Sequence, residues 1–468
     1  MSGSVNDLVR DATSLYRFIA SIAKRQEPEK NHRKATEDFL RYINHLSENA
    51  QRYLQIFVER ADSALAEFER QGLSTIREFW SDLHEFVRPV EDAHSLNIPV
   101  ALIELLENRL SQLEGLDGSR LVLSHTAEWN YTEYPRSDLR FHAQTYEGVV
   151  GGGPPFPQKM AFIEMPYSQG NSLFLNLVIC HEIGHFVFEE LNLEQELSSH
   201  IEAVLQGTLE GYGSMSEPDL SWCRERLKYW SEEIYCDRFA IGLVGPAFCF
   251  AYIELFDVIG TSDTDETGLA EFSDTHPSDA CRFKEYADQL RKGNWWDLLD
   301  QDAATSYVAL IKKLEAVPEE HYLFSSDEKR DHAMPVLAAF LKLKPAIGDL
   351  VNKTFKTKLR VFRGATDREQ ITIVKNYLSH GVVPSTLMQN GKESHPDAIA
   401  LINAAYLFYL ESLSQLMHRI EGQKDAVLAD RHKWAERVEM WTLKSLEDLR
   451  LISSSMELTN GDTVPKGY

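Results

Sequence analysis

Two histidines stand four residues apart in Leu177-Val178-Ile179-Cys180-His181-Glu182-Ile183-Gly184-His185-Phe186-Val187, with Glu182 directly after the first. In a helix this spacing brings both imidazoles to one face, a single turn apart, where they can share one zinc ion. Glu182 lies too far round the helix to share the metal comfortably, but it can reach a water bound to it. Zinc makes such a water acidic and polarises a carbonyl, while the carboxylate removes the proton and can later pass it to a leaving amine. The chemistry encoded is metal-assisted hydrolysis.

The competing reading is a helix with two surface histidines. Val178, Ile179, Ile183, Phe186 and Val187 argue against it, because they require a largely buried helix whose polar side chains need partners. A catalytic zinc takes three protein ligands and leaves a fourth position for water, so one more ligand must come from elsewhere. The metzincin extension would need Gly at 188 and His at 191; the chain has Phe188 and Leu191, which excludes it. Downstream, Trp230-Ser231-Glu232-Glu233-Ile234-Tyr235-Cys236-Asp237-Arg238 offers E-x-x-x-D on a second helical pattern, with Glu233 and Asp237 on one face and Glu232 beside them.

The pairing of H-E-x-x-H with a later E-x-x-x-D resembles the gluzincin metallopeptidases. The resemblance makes Glu233 the third ligand and has Asp237 accept a hydrogen bond from a ligand histidine, fixing its tautomer. Glu232 competes for the ligand role, but its four-residue neighbour is Cys236, and a thiol is a weaker acceptor for the partner task. A third block, Thr275-His276-Pro277-Ser278-Asp279-Ala280-Cys281-Arg282, resembles the H-P-x-x-x-x-R segment of the CAAX prenyl endopeptidase and HtpX-like branch. That likeness implies that His276 sits near the zinc and helps to hold the substrate carbonyl. It implies that Arg282 orients nearby carboxylates or the bound peptide. The alternative is a His-Pro helix start with an exposed Arg. The resemblance spans roughly 160–290. Members of that branch are commonly embedded in membranes, so prenylated or membrane substrates are not carried over. A second resemblance is to the ImmA/IrrE-like zinc peptidases, whose H-E-I-G-H helix is also buried.

The elements that must position these residues follow from periodicity. Phe39, Ile43, Leu46, Ala50, Tyr53 and Phe57 recur at steps of four and three, placing them on one stripe of a long helix. Helical patterns at 5–25 and 98–114 complete a helical region. After Gly118 the segments 121–123, 128–134 and 139–146 are rich in β-formers, and a Gly/Pro loop at 151–157 leads to the apolar run Met160–Met165. Asn171 and Ser172 are candidate caps for the motif helix. The strand formed by Ala161, Phe162, Ile163, Glu164 and Met165 is either an edge that pairs with an extended peptide substrate or an interior strand. Helical patterns dominate 172–260 and from about 283 onward, most clearly at 396–421 and 424–452.

The expected fold is α+β and predominantly helical: a zincin-like core with a small β-sheet and the H-E-x-x-H helix at 118–292, flanked by helical regions at 1–117 and 293–468. Cys180, Cys236 and the Trp295/Trp296 and Trp434/Trp441 pairs read as packing residues. His125, His142, His200 and His432 lack ligand spacing.

With 468 residues, 43 % of them hydrophobic, the chain can bury sizeable cores. Its 48 Lys and Arg against 72 Asp and Glu give a formal charge of -24, which would repel a phosphate backbone and makes nucleic acid a poor partner. The five cysteines are odd in number and form no C-x-x-C pair, which suits a reducing compartment. Without a secretory pattern at its start or an apolar run of membrane-spanning length, the protein reads as cytoplasmic, with no membrane insertion. The expected activity is hydrolysis of peptide bonds in a protein or peptide substrate, with Zn2+ as cofactor. The rival class is a helical interaction protein on a zinc-binding but non-catalytic scaffold; retention of Glu182 argues against it, because structural zinc has no use for a base.

Overall fold

The computed structural model describes residues 12–20, 34–60, 72–80, 99–126, 131–133, 159–166, 172–209, 216–258, 271–293, 295, 311–312, 315–317, 323–324, 330–355, 364–389, 391–419 and 424–460. These are predominantly helical, with a few short strands. The chain forms two compact units, one of residues 1–98 and 118–171, the other of 99–117 and 172–468.

In the first unit, helix α1 (Lys34–Arg60) buries Phe39, Ile43, Leu46, Ala50 and Leu54 along one stripe, as their spacing requires. Helical segments at 12–20 and 72–80 add Leu15, Ile19, Ile76 and Trp80 to the same core. The sheet consists of β1 (Arg120–Thr126), β2 (Thr132–Glu133) and β3 (Met160–Pro166), in the order β1-β3-β2. β1 runs parallel to β3, with Leu121 opposite Ala161 and Leu123 opposite Ile163, while β2 is antiparallel to β3. Val122, Met160 and Phe162 enter the helical core, and the Phe39 and Phe162 rings meet edge to face at 5.1 Å.

Two expectations change here. β3 is the central strand, and at Ile163 and Glu164 it is paired on both sides. The interior arrangement therefore holds, and peptide pairing by Ala161 to Met165 is withdrawn: a nearly continuous apolar run is what a strand covered on both faces needs. A break does fall at 118, but none falls at 292, and the grouping on either side differs. The sheet shares a core with the N-terminal helices because its apolar face covers their stripe, whereas 99–117 and the whole stretch from 172 belong to the other unit. The expected strand at 139–146 and loop at 151–157 lie outside the described residues.

The second unit contains α2 (Val100–Leu110), α3 (Ile179–Glu190), α4 (Leu193–Leu209), α5 (Glu217–Val244), α6 (Ala247–Val258), α7 (Asp279–Lys292), α8 (Arg330–Phe355), α9 (Gly364–Ser379), α10 (Ala398–Arg419) and α11 (Lys424–Asn460). The last two match the clearest helical patterns of the sequence. Among the described residues, no helix is long and apolar enough to cross a membrane.

Helix α3 carries the histidines, and local chemistry sets its start. Ser172 accepts a hydrogen bond from the Leu175 N–H (3.2 Å) and donates to Glu439 of α11 (2.7 Å), which also accepts from the Phe174 N–H (3.0 Å). A 3-10 turn at Leu175–Val178 then runs into α3. Helix α5 begins at Ser216, whose hydroxyl accepts from the Asp219 N–H, with Pro218 in the first turn. It stops at Gly245, whose φ of 76° suits a residue without Cβ. There Asn403 of α10 accepts from the Ala247 N–H (2.9 Å) and donates to the Val244 carbonyl (2.8 Å), satisfying both sides of the break. Helix α8 braces α5 from behind: Phe355 stacks on Phe239 at 5.2 Å, and Tyr235 and Thr354 share a hydrogen bond at 3.0 Å. Trp434 packs against Phe408 (5.9 Å) and Trp441 (6.0 Å), and Trp295 is buried, so these three serve packing as expected, while Trp296 lies outside the described residues.

Candidate metal centre

Nine of the twelve residues of α3 are buried, among them His181 and Glu182, while His185 is partly exposed. Helix α5 lies against α3 at Gly184, where a Cβ would stand 2.8 Å from the Cys236 Cα. Only glycine permits this approach. It brings the Glu232 to Asp237 stretch of α5 within side-chain reach of both histidines.

The imidazoles turn the same edge toward one carboxylate. His181 Nε2 is 3.3 Å from Glu233 Oε2, and His185 Nε2 is 3.4 Å from Glu233 Oε1. The opposite nitrogens each meet a different carboxylate: His181 Nδ1 lies 3.0 Å from Asp237 Oδ1, and His185 Nδ1 lies 2.9 Å from Glu232 Oε1. A carboxylate only accepts, so each Nδ1 is the donor and each Nε2 lone pair is left facing Glu233 when the ring is neutral.

Asp237 is fully buried and fully engaged. Besides His181 it accepts from Arg282 Nε (2.8 Å), Arg282 Nη2 (2.7 Å) and the Tyr286 hydroxyl (3.0 Å). Arg282 in turn covers the Tyr252 ring at 4.5 Å and reaches within 3.7 Å of Glu233. Of the two roles implied for Arg282, orienting carboxylates is the one its contacts match; at 5 % exposure it cannot meet a bound peptide. Helix α7 supplies it, starting at Ser278, whose hydroxyl accepts from the Cys281 N–H at 3.2 Å.

His276 lies in the turn before α7. Ser273 accepts from the His276 N–H (2.8 Å), and Trp230 donates to the Ser273 carbonyl (2.9 Å), which anchors the turn to α5. Its Nδ1 shares a hydrogen bond with the Thr275 hydroxyl (2.8 Å), and its Nε2 is 3.6 Å from Glu233 Oε1. The side chain is 55 % exposed, so it borders the cluster on the solvent side.

The electrostatics favour a cation. Burial by itself would lower His181, but Glu233 and Asp237 outweigh it and hold the imidazole up to about 9. His185 is raised well above its ordinary value, against burial, by Cys236, Glu232 and Glu233. Burial would raise Glu233, yet the two imidazoles keep it well below the usual carboxylate range. Asp237 is lowered, also against burial, by Arg282 and His181. His276 moves the other way, lowered by the protein crowding its inner side and only partly restored by Glu233. Three carboxylates, Glu232, Glu233 and Asp237, thus draw positive charge to one spot, whether as protons or as a metal ion.

The residues fit zinc on three counts. Bonds of about 2.0–2.1 Å at tetrahedral angles put ligand atoms about 3.3 Å apart, and His181 and His185 Nε2 each approach one of the two Glu233 oxygens at a comparable distance, 3.3 Å to Oε2 and 3.4 Å to Oε1. His181, His185 and Glu233 each offer one ligand atom, all within 4.8 Å of one another, and they are the group of this kind among the described residues. Glu233 Oε2 is buried without a hydrogen bond, a costly state that a cation would relieve.

The structure brings together His181, His185, Glu233, Asp237, His276 and Arg282, with Glu182 buried on the same helix as the two histidines. The sequence reading missed Glu232, to which it gave no task. A signal existed: a metal-ligating histidine normally has its second nitrogen held, and Asp237 accounted for only one of the two. Cys236 packs against Gly184, and all five cysteines are buried and free. His200 is exposed and takes no part. The chain matches no protein-family model, no curated protein and no solved structure.

Proposed function

We propose that the chain is a zinc-dependent endopeptidase of the gluzincin kind, hydrolysing peptide bonds of a protein or peptide substrate. One observation carries the reading: the Nε2 atoms of His181 and His185 converge on the Glu233 carboxylate, at 3.3 and 3.4 Å, with Glu182 between the histidines on the same helix. Among the described residues the cluster offers three candidate ligands rather than four, the count that catalytic zinc sites use. Helices α3 and α5 would then be the helical part of a zincin-like core. The five free, buried cysteines suit a reducing cytoplasm.

His181, His185 and Glu233 would hold the zinc, which supplies Lewis acidity to the scissile carbonyl and acidity to the attacking water. Glu182 would serve as the general base toward the attacking water and as the acid toward the leaving amine. Asp237, locked by Arg282 and Tyr286, keeps His181 in the tautomer that presents Nε2. His276 remains neutral near pH 7. In the tautomer whose Nδ1 accepts from the Thr275 hydroxyl, its Nε2 carries the proton and would donate to the developing oxyanion. The acidic balance of the chain favours no nucleic acid as partner.

The test compares new protein termini in cells expressing wild type or Glu182→Gln, together with the zinc content of both purified proteins. The reading expects about one zinc per chain in each and termini that arise only with wild type. Full zinc with no difference in termini would instead favour a non-catalytic zinc-binding scaffold, and absence of zinc from wild type would remove the reading altogether.

A further inference from the structure

We infer that Glu232 is a positioning residue of the metal centre: by accepting from His185 Nδ1 it sets the ring orientation and tautomer that turn Nε2 toward the metal. The inference rests on the zinc-centre reading above. Its basis is the division of labour along one turn of α5, where adjacent glutamates face different nitrogens of the same ring. Glu233 Oε1 is 3.4 Å from His185 Nε2, and Glu232 Oε1 is 2.9 Å from His185 Nδ1.

The two histidine clamps are built differently, which makes the role separable from folding. Asp237 is 0 % exposed and receives two bonds from Arg282 and one from Tyr286, so His181 is tied into the interior of the unit. The His185 and Glu232 side chains are each 21 % exposed, at the solvent edge of the cluster. Replacing Asp237 strips a buried guanidinium of its partner. Replacing Glu232 leaves a partly hydrated imidazole free to rotate or to place its proton on Nε2, where it would block the ligand atom. The loss should therefore fall on metal affinity, on the scale of about 10–100-fold usual for such outer partners, with the metal-free fold kept.

The experiment uses the full chain, depleted of metal and reloaded, as wild type, Glu232→Ala and Glu232→Gln. Zinc affinity is read by competition with a chromogenic chelator, ligand geometry by the visible absorption of the cobalt(II)-loaded protein, and fold by thermal melting of the metal-free protein. Glu232→Ala should bind zinc about 10–100-fold more weakly, with altered cobalt bands and an unchanged metal-free melt. Glu232→Gln, whose amide oxygen can accept the same bond, should recover most of the affinity and the spectrum. Wild-type affinity and cobalt bands in Glu232→Ala would overturn the inference. So would an alanine variant that fails to fold without metal, because the role is then structural. A wild type that binds zinc but cleaves nothing defeats only the peptidase reading, since the positioning role is judged on metal readouts. A wild type that binds no zinc defeats both.

Discussion

The backbone of Cys236 occupies the space beside Gly184 that a Cβ would need, with only 2.8 Å between that Cβ and the Cys236 Cα. The two helices that carry the candidate metal ligands are thus in contact at main-chain level, and their separation is set by a missing methyl group. Gly184→Ala should cost about 1–3 kcal/mol through overpacking and should also weaken zinc binding, because Glu232, Glu233 and Asp237 move away from the histidines as one piece. Gly207→Ala on α4, whose Cβ meets nothing within 4 Å, is the control. It should be neutral or stabilising by up to about 1 kcal/mol, since alanine is the better helix former. Urea unfolding and chelator competition on the two variants read both effects; equal behaviour of the pair would contradict the close-contact account.

Glu182→Gln should keep zinc and fold while losing about 10²–10⁴-fold in turnover, the range for removing a general base. Metal analysis and single-turnover cleavage of the native substrate decide this. Appreciable residual cleavage by a zinc-replete sample would sink the assigned mechanism.

Arg282→Met should destabilise the protein by about 3–5 kcal/mol, the scale for breaking a buried pair and leaving one charge alone. Here the carboxylate left behind is Asp237, which receives two bonds from this guanidinium. Arg282→Lys should recover little, because one ammonium cannot reproduce the paired bonds or the stacking on Tyr252. Denaturant titration of both variants is the measurement, and a fully stable lysine variant would refute the bidentate argument.

The zinc-dependent gain in melting temperature should grow with pH. In the metal-free protein His181 is raised to about 9, above the unfolded value near 6.5. Its protonated form therefore contributes stability that is fully present below about pH 6.5 and lost as the pH rises through about 9. Zinc requires the unprotonated ring, so its stabilisation has the opposite trend. Scanning calorimetry at fixed free zinc should show the widest gap between loaded and metal-free protein at the alkaline end of this window. A gap that narrows toward pH 9 would contradict the assignment.

His276→Phe should leave zinc content near normal and lower turnover by about 10²-fold or more, the cost of one oxyanion donor. Substrate affinity should change less, because the bond matters once negative charge has developed. Full turnover in this variant would reduce the segment to a helix start at Ser278.

Part of the cluster was legible because helical periodicity is local: a four-residue step fixes His181 and His185 on one face whatever surrounds them and links Glu233 to Asp237, while the choice of Glu233 as the third member came from the gluzincin resemblance. The task of Glu232 was not legible. Neighbouring residues on a helix point about 100° apart, and whether both face the histidines depends on the angle at which α5 crosses α3. That angle is a tertiary property set at Gly184. Likewise, the apolar run from Met160 announced a strand, but its central place in the sheet depends on β1 and β2, which lie elsewhere in the chain. Arg282 carried no burial signal of its own, since only the enclosed Asp237 carboxylate makes an interior guanidinium tolerable.

The hydrogen bonds that Glu439 accepts from Ser172 and the Phe174 N–H span more than 260 residues of chain. During synthesis the H-E-x-x-H segment leaves the ribosome long before its entry turn can acquire this acceptor, and α8, which braces α5, also comes later. A growing chain therefore carries His181, His185 and Glu233 while the scaffold that aligns them is still being made. Translation order thus leaves the entry turn of α3 without this acceptor until residue 439 has emerged.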